Sequence, residues 1–208
     1  MKRRKEFEAP YWLKKFVRKR DGSGYYNPMF ECVKYTGEFA VATDTHMMLL
    51  LPSIVPAMLQ NIYNGLLSEA IYPDVCKVIP TKFEYETELL PETVEIVARV
   101  AGAMATGRSK RSDEPIMIKV SFVDGYVRLS AQYDCDKVST EVAVTAGEIK
   151  GEFSLYLSPS KLQTVLSCAD AYNFAGKPVS VKFSRPEDPL LVEVDGLRIV
   201  LTPMRNYC

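Results

Sequence analysis

The feature that most constrains this chain is its last hairpin signal. Leu190 to Leu201 reads LLVEVDGLRIVL, two short apolar runs separated by Asp195-Gly196. An Asp-Gly pair between strand-like runs favours a two-residue turn, because both central residues must tolerate positive φ. The second run passes into Thr202-Pro203-Met204-Arg205. Proline ends the ladder there and leaves an apolar and a cationic side chain beside the strand end. A second such signal, Asp124-Gly125, separates IMIKVSFV from YVRLSAQY.

The rest of the chain alternates between helical and strand-like patterns. In PYWLKKFVRKR (10–20), Trp12, Leu13, Phe16 and Val17 make one apolar stripe, and Lys14, Lys15, Arg18 and Lys19 fall on the other faces. Asp21-Gly22-Ser23-Gly24 ends that helix. From Tyr25 to Pro52 the pattern is strand-like. FAVATDTHMMLLL reads there as one apolar run interrupted by Thr43-Asp44-Thr45-His46, either a bulge or the rim of a site. Residues 53–70 read as helix or irregular apolar packing, with a loose stripe of Ala57, Leu59, Ile62, Tyr63, Leu66 and Leu67 weakened by Pro56 and Gly65. IYPDVCKVIP (71–80), with proline near both ends, reads as an extended connector.

KFEYETELL (82–90) then alternates as a strand. Pro91 opens a helix with Val94, Ile96, Val97, Val100, Ala101 and Met104 as its apolar set. A basic loop, GRSKRSD (107–113), leads into strands that run to residue 157. Ser158-Pro159 starts a third helix, with Leu162, Val165, Leu166, Ala169 and Tyr172 inward, and VSVKF, LLVEV and LRIVL close the chain. A unit of strand, helix and three strands thus occurs at 82–145 and 152–205, with a looser copy at 6–52. The fold class expected is α+β: antiparallel sheets with amphipathic helices laid on one face.

Charge is balanced overall but not evenly spread. The first twenty residues hold nine Lys/Arg against Glu6 and Glu8, a balance of +7, and the remainder holds 17 basic against 24 acidic residues. That asymmetry fits either a polyanionic partner for the N-terminal segment or a solvated helix face. No apolar run approaches the ~18 residues of a membrane span, and the basic start has no apolar stretch behind it, so a cytoplasmic location is expected. Five scattered cysteines (Cys32, Cys76, Cys135, Cys168, Cys208) without a CxxC pair favour free thiols, and no metal site or cofactor is expected. His46 is the only histidine. An enzyme built on Asp44, His46 and a cysteine stands as one reading, but the chain has no phosphate loop and no nucleophile elbow. A hydrogen-bonded structural pair of Asp44 and His46 is the other.

Three stretches together resemble the bacterial DNA polymerase III β subunit, the sliding clamp. FAVATDTHMMLL is similar to the strand that family writes roughly as VATDGHRLA. YPDVCKVIP is similar to its interdomain connector, roughly FPDYRRVLP, and VDGLRIVLTPMRNYC to its C-terminal strand and tail. SLYLSPSKLQTVLSCA is similar to the helix start written Asn-x-x-Tyr-Leu-x-x-x-Leu. The resemblance covers residues 71–208 as one complete clamp-like domain, similar to the family's third, and residues 1–70 as part of the preceding one.

The resemblance implies a DNA-clamp-like fold and a processivity role rather than an enzyme. Such a protein binds duplex DNA without sequence preference and docks peptides of a DNA polymerase or other clamp-motif proteins, with a homo-oligomer as the ring-forming state. It implies a peptide pocket drawn from Thr43, Thr45, His46 and Met48, from Pro73, Lys77 and Val78, and from Val200, Leu201, Thr202, Pro203, Met204 and Arg205. DNA contacts would come from Lys14, Lys15, Arg18 and Lys19, from Arg99, Arg108, Lys110 and Arg111, and from Lys161. The chain departs from the pattern at Thr45, where the family has glycine, at Met47, where it has arginine, and in the extra tail residues Asn206-Tyr207-Cys208. It also has room for three units rather than six, so that twelve units need four chains. The alternative is a clamp-derived interaction module that does not encircle DNA.

Overall fold

Both Asp-Gly pairs close two-residue hairpins, with φ of 50° and 77° at Asp124-Gly125 and of 48° and 84° at Asp195-Gly196, the doubly positive geometry whose twist matches the flanking strands. The computed structural model describes residues 7–18, 27–106, 117–133, 138–145 and 152–204. Its helices are α1 (Ala9–Phe16), α2 (Pro91–Thr106) and α3 (Pro159–Tyr172). The strands are β1 (Cys32–Tyr35), β2 (Phe39–Thr43), β3 (Met47–Pro52), β4 (Met58–Asn61), β5 (Tyr85–Leu89), β6 (Ile118–Val123), β7 (Tyr126–Tyr133), β8 (Val138–Thr145), β9 (Phe153–Leu157), β10 (Val179–Phe183), β11 (Leu190–Val194) and β12 (Leu197–Leu201).

These strands form an eight-stranded sheet, ordered β4-β1-β2-β3-β12-β11-β10-β5, and a four-stranded one, ordered β8-β7-β6-β9. Each strand-helix-three-strand unit gives its leading strand away. β5, which precedes α2, pairs antiparallel with β10 of the last unit, and β9, which precedes α3, pairs antiparallel with β6 of the middle one. The two units are therefore interlocked, and α2 and α3 pack against each other between the sheets. The first unit has β4 in the equivalent slot, antiparallel to β1, with Cys32 opposite Asn61 and Tyr35 opposite Met58. A strand that follows its unit thus does what a donated leading strand does in the other two. Residues 66–68 then fold back along β4, with Ser68 N–H donating to the Leu59 carbonyl (2.8 Å) and Asn61 N–H to the Leu66 carbonyl (2.9 Å).

That finding replaces the helix or irregular apolar packing expected for 53–70. Pro56 and Gly65 (φ 74°) break the pattern, and Leu66 and Leu67, assigned to an apolar stripe, are 66% and 71% exposed. The first helix is also shorter than 10–20. Val17 is extended, and Arg18 N–H donates to the Phe30 carbonyl (3.0 Å), so a tertiary bond diverts the chain after Phe16. PMFE (28–31) is a 3-10 turn rather than strand, started by Asn27 accepting from Met29 N–H. The turn expected at 21–24 and the loop 107–113 lie outside the described residues.

The middle of the eight-stranded sheet (β2, β3, β12 and β11) is buried on both faces, which explains why Met47–Leu51 reads MMLLL without alternation. On one face Ala40, Ala42, Leu49, Leu51, Ile199 and Leu201 join the main core with Phe16 of α1 and Val165 and Leu166 of α3. On the other, Val41, Met48, Leu50, Leu191 and Val200 are covered by Tyr72 and Val75 of the connector. The four-stranded sheet buries one face only, and β6 and β9 alternate accordingly.

Candidate functional site

The polar tetrad 43–46 is not a bulge: Thr43 ends β2, and Asp44 to His46 turn the chain into β3. Asp44 organises it, with Oδ1 accepting from the backbone N–H of His46 (2.9 Å) and of Met47 (2.8 Å). The Thr43 hydroxyl donates to the Met47 carbonyl at 2.9 Å. Asp44 therefore holds the backbone of His46 through its side chain. Thr45 sits at φ 81°, a conformation costly for a β-branched residue. The reason glycine suits this position is steric. Thr45→Gly is expected to stabilise the fold by about 1 kcal/mol, read as a raised denaturant midpoint with an unchanged m-value.

Beside this turn lies a cavity of about 180 Å³. A row across three strands makes its floor: Thr43 of β2 faces Met48 of β3, which faces Val200 of β12. Pro73, Val75 and Val78 of the connector make one wall, and Phe30 from the 3-10 turn another. Thr45, His46 and Thr202 rim it, with Thr202 N–H donating to the His46 carbonyl at 2.8 Å. Tyr72 anchors the connector beneath. It is buried in the second cluster, and burial pushes its phenol well above the usual tyrosine range. The result is an apolar hollow with a few polar rim groups and two methionines, chemistry suited to anchoring aliphatic or aromatic side chains of a peptide.

Thr43, Thr45, His46, Met48, Pro73, Val78, Val200 and Thr202 all meet here. Leu201 does not, a correction dictated by the pleat: its neighbour Val200 faces the cavity, so Leu201 faces the main core and is fully buried. Lys77 points to solvent and pairs with Asp74 (3.4 Å). Pro203 and Met204 continue past the rim, where Met204 N–H donates to the Tyr156 carbonyl (2.8 Å). Arg205 lies outside the described residues. Phe30 and Val75 line the cavity although sequence reasoning passed over them, and so does Met47, singled out there only as a departure from the family pattern. Val75 was legible as the apolar centre of the connector, whereas nothing local marks Phe30.

The basic residues are scattered. Lys14 and Lys15 are exposed on α1, with Lys15 Nζ 5.2 Å from the Tyr11 ring, and Arg18 is half-buried. Arg99 is exposed on α2 and pairs with Glu95 at 3.7 Å. Lys161, in the first turn of α3, is paired with Asp44. Lys19, Arg108, Lys110 and Arg111 lie outside the described residues.

No protein-family model matches the sequence, and no curated protein sequence does. Solved structures do. The DNA polymerase sliding clamp of Bacillus subtilis superposes with a TM-score of 0.73 at 15% identity, over 95% of this chain and 62% of that one. That of Caulobacter crescentus gives 0.72 at 16%, over 95% and 64%. A Bartonella birtlesii sliding clamp, DNA polymerase III subunit beta, solved with griselimycin bound, gives 0.73 at 12%, over 95% and 63%. This chain has the sliding-clamp fold. It spans about three fifths of the length of the clamps it matches.

Proposed function

We propose that this chain is a sliding-clamp-like processivity factor, docking peptides of a DNA polymerase or another clamp-motif protein while holding duplex DNA loosely. It acts by binding, without turnover, in the cytoplasm, with residues 1–70 as half a clamp domain closed by β4 and 71–208 as a complete one. The observation that carries the reading is convergence. The turn 43–46, the connector and the end of β12 are far apart in sequence, yet together they make one apolar hollow.

Fluorescence anisotropy tests both halves. A labelled peptide with a Gln- and Leu/Phe-containing clamp motif is expected to bind saturably, with Kd on the order of micromolar. Duplex DNA is expected to bind weakly, with affinity falling with salt at a slope of about −0.9 per phosphate neutralised. Absence of both overturns the proposal.

A second reading is an interaction module that does not encircle DNA. It is favoured by Arg99 and Lys161 being engaged with carboxylates of this same chain. Peptide binding without DNA affinity, with a monomer or simple dimer in sedimentation, selects it over a closed ring.

A further inference from the structure

We infer that Lys161 is a positioning residue of the peptide cavity, holding the 43–46 turn through Asp44, and is not a DNA contact. The inference rests on the peptide-docking reading of the same cavity. Thr43, Thr45, His46, Met47 and Met48 all line the hollow from one hairpin, so the shape of the site depends on how that hairpin's turn is held. From within, Asp44 Oδ1 accepts two backbone N–H groups. From without, two elements reach it: the strand exit, through Thr202 N–H to the His46 carbonyl, and α3, through Lys161 Nζ to Asp44 Oδ2.

The second tie is the one between side chains. Asp44 and Lys161 are only 13% and 26% exposed, so solvent screens the pair less than a surface ion pair, and the charge-assisted bond is of the stronger kind. The helix behind it is firmly seated, with Leu162, Val165 and Leu166 buried beneath. Lys161 therefore transmits the rigidity of α3 to a turn that carries an unfavourable φ at Thr45. Asp44 offsets the charge of Nζ, and Lys161 is only 26% exposed, so a DNA phosphate gains less from it than from an exposed, unpaired lysine.

Lys161→Met removes the charge and keeps the stem. Asp44→Asn keeps an oxygen for the two turn amides and loses the ion pair. Both variants, their double mutant and Lys161→Arg are assayed for clamp-motif peptide and duplex DNA binding, with thermal melting in parallel. The expected result is a loss of peptide affinity of about tenfold in each single variant, no further loss in the double mutant, near-complete recovery with Lys161→Arg and unchanged DNA affinity. Unchanged peptide affinity in Lys161→Met and Asp44→Asn overturns the inference, as does a loss of DNA affinity in Lys161→Met with peptide binding intact. If Lys161→Met fails to fold, Asp44→Asn alone decides by the same criteria. Wild-type protein that binds no peptide refutes the docking reading itself, an outcome separate from either of these.

Discussion

Phe183→Ala is expected to lower the melting temperature by roughly 10 °C, corresponding to a loss of about 3–5 kcal/mol for a buried phenylalanine truncated in place. Phe183 ends β10 and is 2% exposed. Its ring lies 4.0 Å from that of Phe153 in β9, 5.4 Å from Tyr85 in β5 and 5.5 Å from Phe122 in β6, centroid to centroid. Tyr85 belongs to the eight-stranded sheet, whereas Phe122 and Phe153 belong to the four-stranded one. One ring thus stitches both sheets at the place where β5 and β9 have been exchanged. Truncation leaves a void among three aromatic neighbours that packed strands cannot close. Calorimetry or denaturant unfolding measures it. A change below 1 kcal/mol would mean that the two sheets are held chiefly by α2 and α3.

Val78→Asp is expected to abolish most peptide binding, at least about thirtyfold, while leaving the melting temperature unchanged. Val78 lines the cavity yet is 50% exposed, so a carboxylate there stays hydrated in the free protein. A docked apolar side chain would strip that hydration at a cost. The substitution separates recognition from folding, which deeper positions such as Val200, 2% exposed, do not allow. Titration of a labelled clamp-motif peptide reads the effect, and unchanged affinity would place the docking surface elsewhere. Duplex DNA binding is expected to be unaltered, because Val78 lies in the connector, away from the exposed Lys14 and Lys15 of α1.

Much of the architecture was legible because its determinants are local. The Asp-Gly pairs at 124–125 and 195–196 require doubly positive φ, and that alone places β6 against β7 and β11 against β12. Pro91 and Pro159 suit the first turn of a helix, and α2 and α3 begin there. Eight residues named for the pocket line one hollow because the three stretches carrying them keep turn, proline and strand-end chemistry in a recognisable order.

What was misread had its cause elsewhere in the molecule. Leu66 and Leu67 imitate a helical stripe, but β4 finds its partner in β1, some twenty-five residues back, and a ladder with an existing edge outweighs a weak propensity. Leu201 shares the pattern of Val200 and faces the other way, since only the pleat decides which of two apolar neighbours looks at the core. Lys161 reads as a free cation on a helix until the fold brings Asp44, 117 residues distant, against it. The sequence by itself determined the turns, the helix starts and the α+β class, because backbone conformational preference acts over a few residues. The exchange of β5 and β9, the closing of the N-terminal unit by β4 and the commitment of Lys161 were decided only in the tertiary structure. Strand pairing and ion pairing depend on which groups the whole chain brings within reach, and no single stretch holds that information.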